Sequence, residues 1–354
     1  MRTIVAGNNE GEKDGKLACV DAGNMPDGIA TPEIWLPMAR YRLSFRSREP
    51  LWFTDFPGSA WRGALGHALR RVACTTRLPV CACCPEYRRC AYPLVFETPP
   101  PPSTEKMRLY TQVPHPFVLV HQNLRADLPD AHLRCELLLT MIGHGDRHTA
   151  TVLKALEEAA SGPRGISKNQ MRLERVERER GIGRGEWEEW SGNHRKAKIP
   201  AVLAIPPAPA GVVLYLLTPL RVKRNGARVG PEEFRFADMF VNLMRRISQL
   251  TYFHTDRPLE VDFKNLADTA KSVEADMHLE WRDLERYSSR QQTEMTLGGV
   301  TGKIELKDER LRLFWPFLWR GQWTHGGTGA TMGLGQYSIR ASLHAPKPVK
   351  AMEG

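Results

Sequence analysis

Long apolar runs are absent from this sequence. No segment approaches the roughly 20 consecutive apolar residues that a membrane-spanning helix needs. Residues 1–28 are polar and glycine-rich and lack the apolar core of a secretion signal. These absences predict a cytoplasmic location and no membrane partner. In that compartment the seven cysteines are expected to be reduced or metal-bound rather than paired in disulfides.

A surplus of acidic residues is also absent. The chain has 50 lysines and arginines against 40 aspartates and glutamates, which gives a formal net charge of +10. Such a surplus favours a polyanionic partner through non-specific attraction to phosphate, without distinguishing RNA, DNA or an anionic membrane. The sequence has no cluster of acidic residues of the kind that forms the paired-metal site of a two-metal nuclease.

The length of 354 residues predicts about two domains. Residues 1–35 are dominated by glycine, asparagine and charged residues, and are predicted to form a disordered or loosely ordered tail. A strand with a basic face is predicted at Tyr41–Arg46. From there the predicted elements follow the order β-α-β-β-α-β twice, which is the ferredoxin-like unit. We therefore predict an α+β protein with two tandem ferredoxin-like (RRM-like) domains, at residues 36–198 and 199–345.

The first predicted helix covers Pro57–Ala73, with Ser59 as its N-cap. Its apolar residues recur at helical spacing, and His67 lies outside this stripe beside Arg70 and Arg71. A neutral imidazole in such a position can accept a proton. A surface histidine without chemistry is the plain alternative.

Four cysteines, Cys74, Cys81, Cys84 and Cys90, lie close together in the sequence. Four thiolates suit tetrahedral zinc, and the two-residue spacing between Cys81 and Cys84 is usual for zinc ligands. The same set also suits an iron–sulfur cluster, and Cys83 is an alternative ligand or a spare. We predict that the insert from Cys74 to Cys90 binds a structural metal, zinc or a cluster. Unrelated reduced cysteines are the plain alternative.

Glycines are concentrated in residues 321–337. Their small size leaves room for a ligand at the backbone, and successive N–H groups can form a nest for phosphate. The stretch lacks the Gly-Lys-Ser/Thr of a Walker loop and the third glycine of a dinucleotide fingerprint. On its own, it is typical of a glycine-rich turn.

The glycine-rich stretch is the last of several short motifs in a fixed order. They are Phe56–His67 (FPGSAWRGALGH), Tyr287–Gln291 (YSSRQ), Leu297–Gly302 (LGGVTG), Phe314–Pro316 (FWP) and Gly326–Tyr337. The ordered set resembles CRISPR-associated precursor-RNA processing endoribonucleases of the RAMP superfamily, over most of residues 40–340. The resemblance implies two ferredoxin-like domains, a glycine-rich loop that touches RNA backbone and a histidine base on the first helix.

The resemblance implies an endoribonuclease that recognises a sequence or hairpin in CRISPR repeats. It would cut precursor RNA by metal-independent attack of a 2′-hydroxyl, leaving 2′,3′-cyclic phosphate and 5′-hydroxyl ends on mature crRNA. Expected partners are repeat RNA, crRNA and other subunits of a CRISPR effector complex. The expected catalytic residues are His67 as base, Arg71 and Arg70 as charge stabilisers, and His325 as a second candidate. The expected RNA contacts are Gly326, Gly327, Gly329, Gly333, Gly335, Arg290 and Arg320.

Two other classes of protein fit parts of the sequence. A catalytically inert RAMP subunit would hold guide RNA in an effector complex without cutting it. A metal-sensing regulator would bind duplex DNA through the cysteine set, although no clear helix-turn-helix pattern is present.

Overall fold

Two antiparallel sheets, of five and four strands, organise the chain in a computed structural model. The structure describes residues 31–342 except 101–112, 123, 125–129, 163–165, 167–169, 191, 193–202 and 289–292.

The N-terminal sheet follows the predicted order of elements. The elements are β1 (Met38–Ser47), α1 (Pro57–Ala73), β2 (Phe117–Gln122), β3 (Arg134–Ile142), α2 (Thr149–Ser161), β4 (Met171–Glu179) and β5 (Trp187–Glu189). The strands lie side by side in the order β2-β3-β1-β4-β5, and each pair is antiparallel. The first four strands and two helices form the ferredoxin-like unit, with β5 added at one edge.

Strand β1 alternates between the two faces of this sheet, as a period of two requires. Its buried apolar positions are Tyr41, Leu43 and Phe45, which share a core with α1 and α2. On the other face, Arg40 Nη1 lies 2.7 Å from Glu179 Oε2, and Arg42 Nε lies 2.8 Å from Glu177 Oε2. The predicted basic face therefore exists, but glutamates of β4 pair with two of its arginines.

The C-terminal sheet repeats the arrangement. Its elements are β6 (Val212–Leu220), β7 (Lys223–Arg224), β8 (Ala227–Arg228), α3 (Phe236–His254), α4 (Phe263–Lys271), β9 (Ala275–Arg282), β10 (Glu285–Ser288), β11 (Thr293–Thr296), β12 (Gly299–Leu306), α5 (Leu311–Thr324) and β13 (Tyr337–Ala341). The strand order β13-β6-β12-β9 matches that of the first domain, and the α+β prediction with two ferredoxin-like units is confirmed. Among the described helices, none combines the length and apolar character needed to span a bilayer.

Helix α3 carries an apolar stripe that is buried in the C-terminal domain. Phe236, Phe240 and Ile247 are fully buried. The ring of Phe240 lies edge-to-face with those of Phe314 and Phe317 on α5, at centroid distances of 4.6 and 5.5 Å. Burial of each such side chain contributes about 1.5–3 kcal/mol, so this aromatic contact holds α5 and the loop that follows it.

Two local predictions near the N-terminus are wrong. Helix α1 begins at Pro57, as predicted, but its N-cap is Phe56 and not Ser59. Proline favours the first helical position because it has no N–H that needs an acceptor and its φ angle is already helical. The predicted tail extends too far, because Ile34 is 2% exposed and packs in the core of the C-terminal domain. Residues 1–30 lie outside the described residues.

Strand β5 and helix α4 are among the elements that were not predicted. Strand β5 lies near the end of the predicted N-terminal domain, where it extends the sheet edge beside β4. Helix α4 has only two buried residues, Leu266 and Ala270, and therefore leaves little apolar period to read. Its N-cap Asp262 accepts a hydrogen bond from the Asn265 N–H at 2.9 Å.

Two glycines of α1 test how tightly this helix is packed. A β-carbon on Gly58 would stand 2.0 Å from the Met332 carbonyl oxygen, whereas one on Gly63 would meet no atom within 4 Å. We expect Gly58→Ala to lower the free energy of unfolding by about 1–3 kcal/mol through overpacking. Gly63→Ala should raise it by about 0.4–1 kcal/mol, because alanine restricts the unfolded chain and favours helix.

The measurement is urea denaturation followed by tryptophan fluorescence and circular dichroism, with Gly63→Ala as the matched control. Shifts of the same sign in the two variants would contradict the close packing of Gly58.

Candidate functional site

The exposed side of α1 carries the predicted catalytic histidine. Trp61 and Leu65 of this helix are fully buried against the first sheet. Because a helical turn has 3.6 residues, Gly63, His67 and Arg71 form one row, and all three are exposed. The row is open to a ligand, since nothing lies within 4 Å of a β-carbon built on Gly63.

The two arginines that follow His67 have different surroundings. Arg71 Nε lies 3.9 Å from Glu158 Oε2, and both side chains are largely exposed, so this ion pair is weak. Arg70 donates instead from Nη2 to the carbonyls of Leu78 at 3.0 Å and Pro79 at 2.6 Å. Arg70 thus holds the segment after the helix, and its predicted role as a charge stabiliser stays a prediction.

The glycine-rich loop uses most of its N–H groups inside the protein. The N–H of Gly326 donates to the Gly335 carbonyl at 3.2 Å, and that of Gly335 donates to the Pro219 carbonyl at 3.0 Å. The N–H of Gly327 donates to Asn242 Oδ1 at 2.9 Å. These groups are already paired and do not form the predicted phosphate clamp.

Packing explains why glycine occupies several loop positions. Positive φ angles occur at Gly327, Gly329, Gly333 and Gly335. A β-carbon on Gly335 would stand 2.0 Å from the Gly326 carbonyl oxygen, and one on Gly333 would stand 2.9 Å from that of Leu119. The glycines thus permit close contacts within the protein, a use that the sequence does not distinguish from ligand approach.

Three consecutive N–H groups of the loop have no acceptor among the described residues. They belong to Gly329, Ala330 and Thr331, at the start of a single 3₁₀ turn, Ala330–Met332. Successive free N–H groups form a concave anion-binding nest. Of the glycine-rich loop, this short segment is the part with donors to offer a phosphate.

The same segment docks on the beginning of α1. The Met332 carbonyl approaches Gly58, and Arg62 Nε donates to Thr331 Oγ1 at 3.0 Å. Apolar contacts among Phe56, Met332 and Leu334 surround these polar ones. The docking places the loop of the second domain at the first turn of the helix that carries His67.

His325 is buried rather than available to a substrate. Its side chain is 2% exposed, and Nδ1 lies 3.2 Å from the Leu334 carbonyl oxygen. Burial, aided by nearby Arg246, lowers the pKa of His325 to about 3, so the neutral ring donates from Nδ1. The prediction of His325 as a second catalytic residue is corrected, because its ring is buried against the Leu334 carbonyl, while its backbone N–H caps α5 by donating to the Gly321 carbonyl at 2.9 Å.

The two arginines predicted to bind RNA do not lie on a described surface. Arg320 is 3% exposed and donates to the carbonyls of Pro316 and Ile34. Burial lowers its pKa to about 10. The prediction for Arg320 is corrected, because it ties α5 to the segment before β1. Arg290 lies outside the described residues.

Arg62 and His115 were not predicted to matter, yet they link the two domains. Arg62 Nη2 lies 3.3 Å from His115 Nε2, and Thr98 Oγ1 lies 3.0 Å from His115 Nδ1. Burial and then the charge of Arg62 lower the pKa of His115 to about 3. Arg62 stands inside the FPGSAWRGALGH motif, which was the available signal. His115 follows a segment outside the described residues, and no sequence pattern marked it.

The four predicted metal ligands share one location. Cys74, Cys81, Cys84 and Cys90 all line a cavity of about 20 Å³ at the end of α1. Within the described residues, no three histidine, cysteine, aspartate or glutamate side chains stand in an arrangement that holds a metal ion. The prediction of a metal thus stays a prediction.

Comparison with protein families matches both halves of the chain. Residues 36–198 match a family model described as an N-terminal domain. Residues 214–337, which include the loop docked on α1, match CRISPR-associated endoribonuclease Cas6. Residues 214–337 are therefore similar to Cas6. The resemblance inferred from the sequence motifs is thereby confirmed, and the family is one of CRISPR RNA-processing endoribonucleases. A search of curated proteins found no match.

Solved structures show the Cas6 fold across both domains. A Cas6 product complex aligns with a TM-score of 0.51 at 18% identity, over 86% of this chain and 99% of that one. A partial Cas6-RT-Cas1–Cas2 complex aligns with a TM-score of 0.51 at 12% identity, over 89% of this chain and 48% of that one. This chain thus spans about half the length of the second structure. At these identities the likeness establishes the fold alone.

Buried histidines make the stability of this protein depend on pH. Burial lowers the pKa of His254 and His121 to about 4, and that of His325 and His115 to about 3, from an ordinary 6.5. Between pH 6.5 and 4 the unfolded chain therefore binds more protons than the folded protein. Stability should fall as pH decreases, by up to about 1.4 kcal/mol per pH unit for each histidine.

His325→Asn tests this assignment, because asparagine does not titrate in this range and keeps an N–H donor for the Leu334 carbonyl. Urea denaturation at several pH values should give a slope that is shallower in the variant by up to about 1.4 kcal/mol per pH unit. Parallel slopes for variant and parent would show that His325 titrates normally.

Proposed function

We propose that this protein cleaves CRISPR precursor RNA within its repeats, in a sequence- or hairpin-specific manner, to give mature crRNA. The observation that carries the proposal is the docking of the Cas6-family loop on the first turn of α1, the helix that exposes His67. Net charge of +10 supports an RNA partner. Other subunits of a CRISPR effector complex are proposed as further partners.

The proposed reaction is a transesterification without a metal. His67 takes the proton from a ribose 2′-hydroxyl, and that oxygen bonds to the adjacent phosphorus. The bond from phosphorus to the 5′-oxygen breaks, and the leaving oxygen receives a proton. The products are a 2′,3′-cyclic phosphate and a 5′-hydroxyl. Zinc or another metal at the cysteine set has no part in these steps.

The row on α1 suits this chemistry. His67 and Arg71 are one helical turn apart and both exposed, so a phosphate next to the imidazole also reaches the guanidinium. Arg71 stabilises the negative charge that grows on the phosphorane. Its weak contact with Glu158 leaves it free to reorient toward RNA. Gly63, with nothing beside it, leaves room for the ribose-phosphate backbone.

The loop supplies a second contact with the RNA backbone. The N–H groups of Gly329, Ala330 and Thr331 are proposed to hold a phosphate of the repeat. The first turn of α1 lies beside them and adds the positive end of its helix dipole. The proposed clamp thus involves fewer N–H groups than the glycine pattern suggested. It lies beside the first turn of α1, the helix that carries the base.

His67→Ala should slow single-turnover cleavage of a repeat RNA by about 100- to 10,000-fold, because a general base contributes that much to the rate. Affinity measured by fluorescence anisotropy should stay within a few-fold of the parent, since the imidazole acts in the transition state. His132→Ala is the matched control, because His132 is also exposed but lies in the 3₁₀ turn Ala131–Leu133 before β3.

Cleavage by the parent protein should persist in EDTA and should leave ends that resist extension until the cyclic phosphate is removed. A rate for His67→Ala equal to that of the His132→Ala control would remove His67 from catalysis. If the parent binds repeat RNA tightly and leaves it uncut, the protein is instead an inert RNA-binding RAMP subunit of a CRISPR effector complex.

A further inference from the structure

The cysteine set occupies one corner of the N-terminal domain. Cys74 caps the end of α1, and Cys84 caps the 3₁₀ turn Cys81–Cys83. Cys90 Sγ lies 3.7 Å from the carbonyl oxygen of Ala73, the last residue of the helix. All four line the same cavity. Cys83, by contrast, is exposed and does not line it. The fold thus selects four of the five neighbouring cysteines.

Polar groups of the segment already contact the sulfur atoms. The Arg77 N–H donates to Cys74 Sγ at 3.1 Å, and the Thr76 hydroxyl oxygen lies 3.2 Å from Cys84 Sγ. A donor directed at sulfur stabilises a thiolate more than a thiol, because the acceptor charge is larger. At least one of the four sulfur atoms is therefore already placed to accept a hydrogen bond as a thiolate.

A positive charge is fixed at the same cavity. Arg70 lines it, and two hydrogen bonds to the Leu78 and Pro79 carbonyls hold the guanidinium there. A zinc ion with four thiolates carries a net charge of about −2. The Arg70 guanidinium partly offsets that charge, as a group in the outer shell of a metal site commonly does.

The small volume of the cavity favours a single metal ion over an iron–sulfur cluster. Its volume is about 20 Å³, and a site needs roughly 10–15 Å³ on this measure to accept one water molecule. One ion fits such a space, whereas a four-iron cluster would need the segment to open. Thiolate sulfur in a set of four is the ligand that tetrahedral Zn²⁺ takes in structural sites.

We propose that Cys74, Cys81, Cys84 and Cys90 bind one Zn²⁺ ion. The sulfur atoms do not yet stand in a ligating arrangement, so binding draws them inward by rotation about their side-chain bonds. The ion ties the segment from Cys74 to Cys90 to the last turn of α1. Through Arg70 it fixes the end of the helix that presents Arg71. The proposal does not depend on RNA cleavage.

The first experiment measures metal content by inductively coupled plasma mass spectrometry. The parent protein, purified without chelators, should contain about one zinc per chain, and so should Cys83→Ser. Cys84→Ser should lose most of the zinc and show a lower thermal midpoint. Zinc-free parent protein, iron with acid-labile sulfide, or equal loss of zinc from Cys83→Ser and Cys84→Ser would overturn the proposal.

A second measurement covers the case in which Cys84→Ser does not fold. Parent protein produced in cobalt medium should show the intense visible absorption of tetrahedral cobalt–thiolate coordination, which zinc should abolish on exchange. A weak octahedral spectrum would overturn the four-cysteine site. His67→Ala should retain full zinc content, so a failure of the cleavage mechanism is distinguishable from a failure of the metal site.

Discussion

The arrangement of both domains depends on the close backbone contact between the glycine-rich loop and the N-terminal domain. Gly58 meets the Met332 carbonyl and Gly333 meets that of Leu119, at distances where any β-carbon would collide. The Arg62 hydrogen bond to Thr331 fixes the orientation of the loop on the helix. The apolar contacts of Phe56 bury further surface between them. Because backbone meets backbone, side-chain rotation cannot relieve the contact, and the loop takes one position on α1. The glycines therefore serve domain docking first, and ligand binding only where donors remain.

The net positive charge overstates the charge that faces a partner. Arg40 pairs with Glu179 in the first sheet, and Arg320 satisfies main-chain carbonyls in the interior. Arg246 donates to the Thr324 carbonyl at 2.8 Å, and burial lowers its pKa to about 10. These side chains are used to brace α5 and the sheet rather than to attract phosphate. The net charge favours a polyanionic partner. Burial and pairing show which of the cationic side chains can contact it.

Helix α1 joins the separate features of the molecule. Its first turn receives the loop of the C-terminal domain, its exposed row presents His67, and its last turn leads into the cysteine segment. Pro57 sets where the helix begins, and Arg70 links its end to the main chain beyond. A rigid element held at both ends positions an exposed side chain more precisely than a surface loop would. The proposed cleavage and the proposed zinc site thus act on one helix, at different turns.

The sequence by itself determined the order of elements, the bounds of α1 and the resemblance to a known family, because periodicity and ordered motifs are local properties. Tertiary structure alone decided the fate of the individual polar residues. His325, Arg320 and Arg70 look available in sequence, yet two are buried and the third is engaged by carbonyls eight and nine residues away. Gly335 and Gly329 look equivalent, yet only the first has its N–H paired. Burial and pairing arise from contacts between distant segments, and no local pattern encodes them.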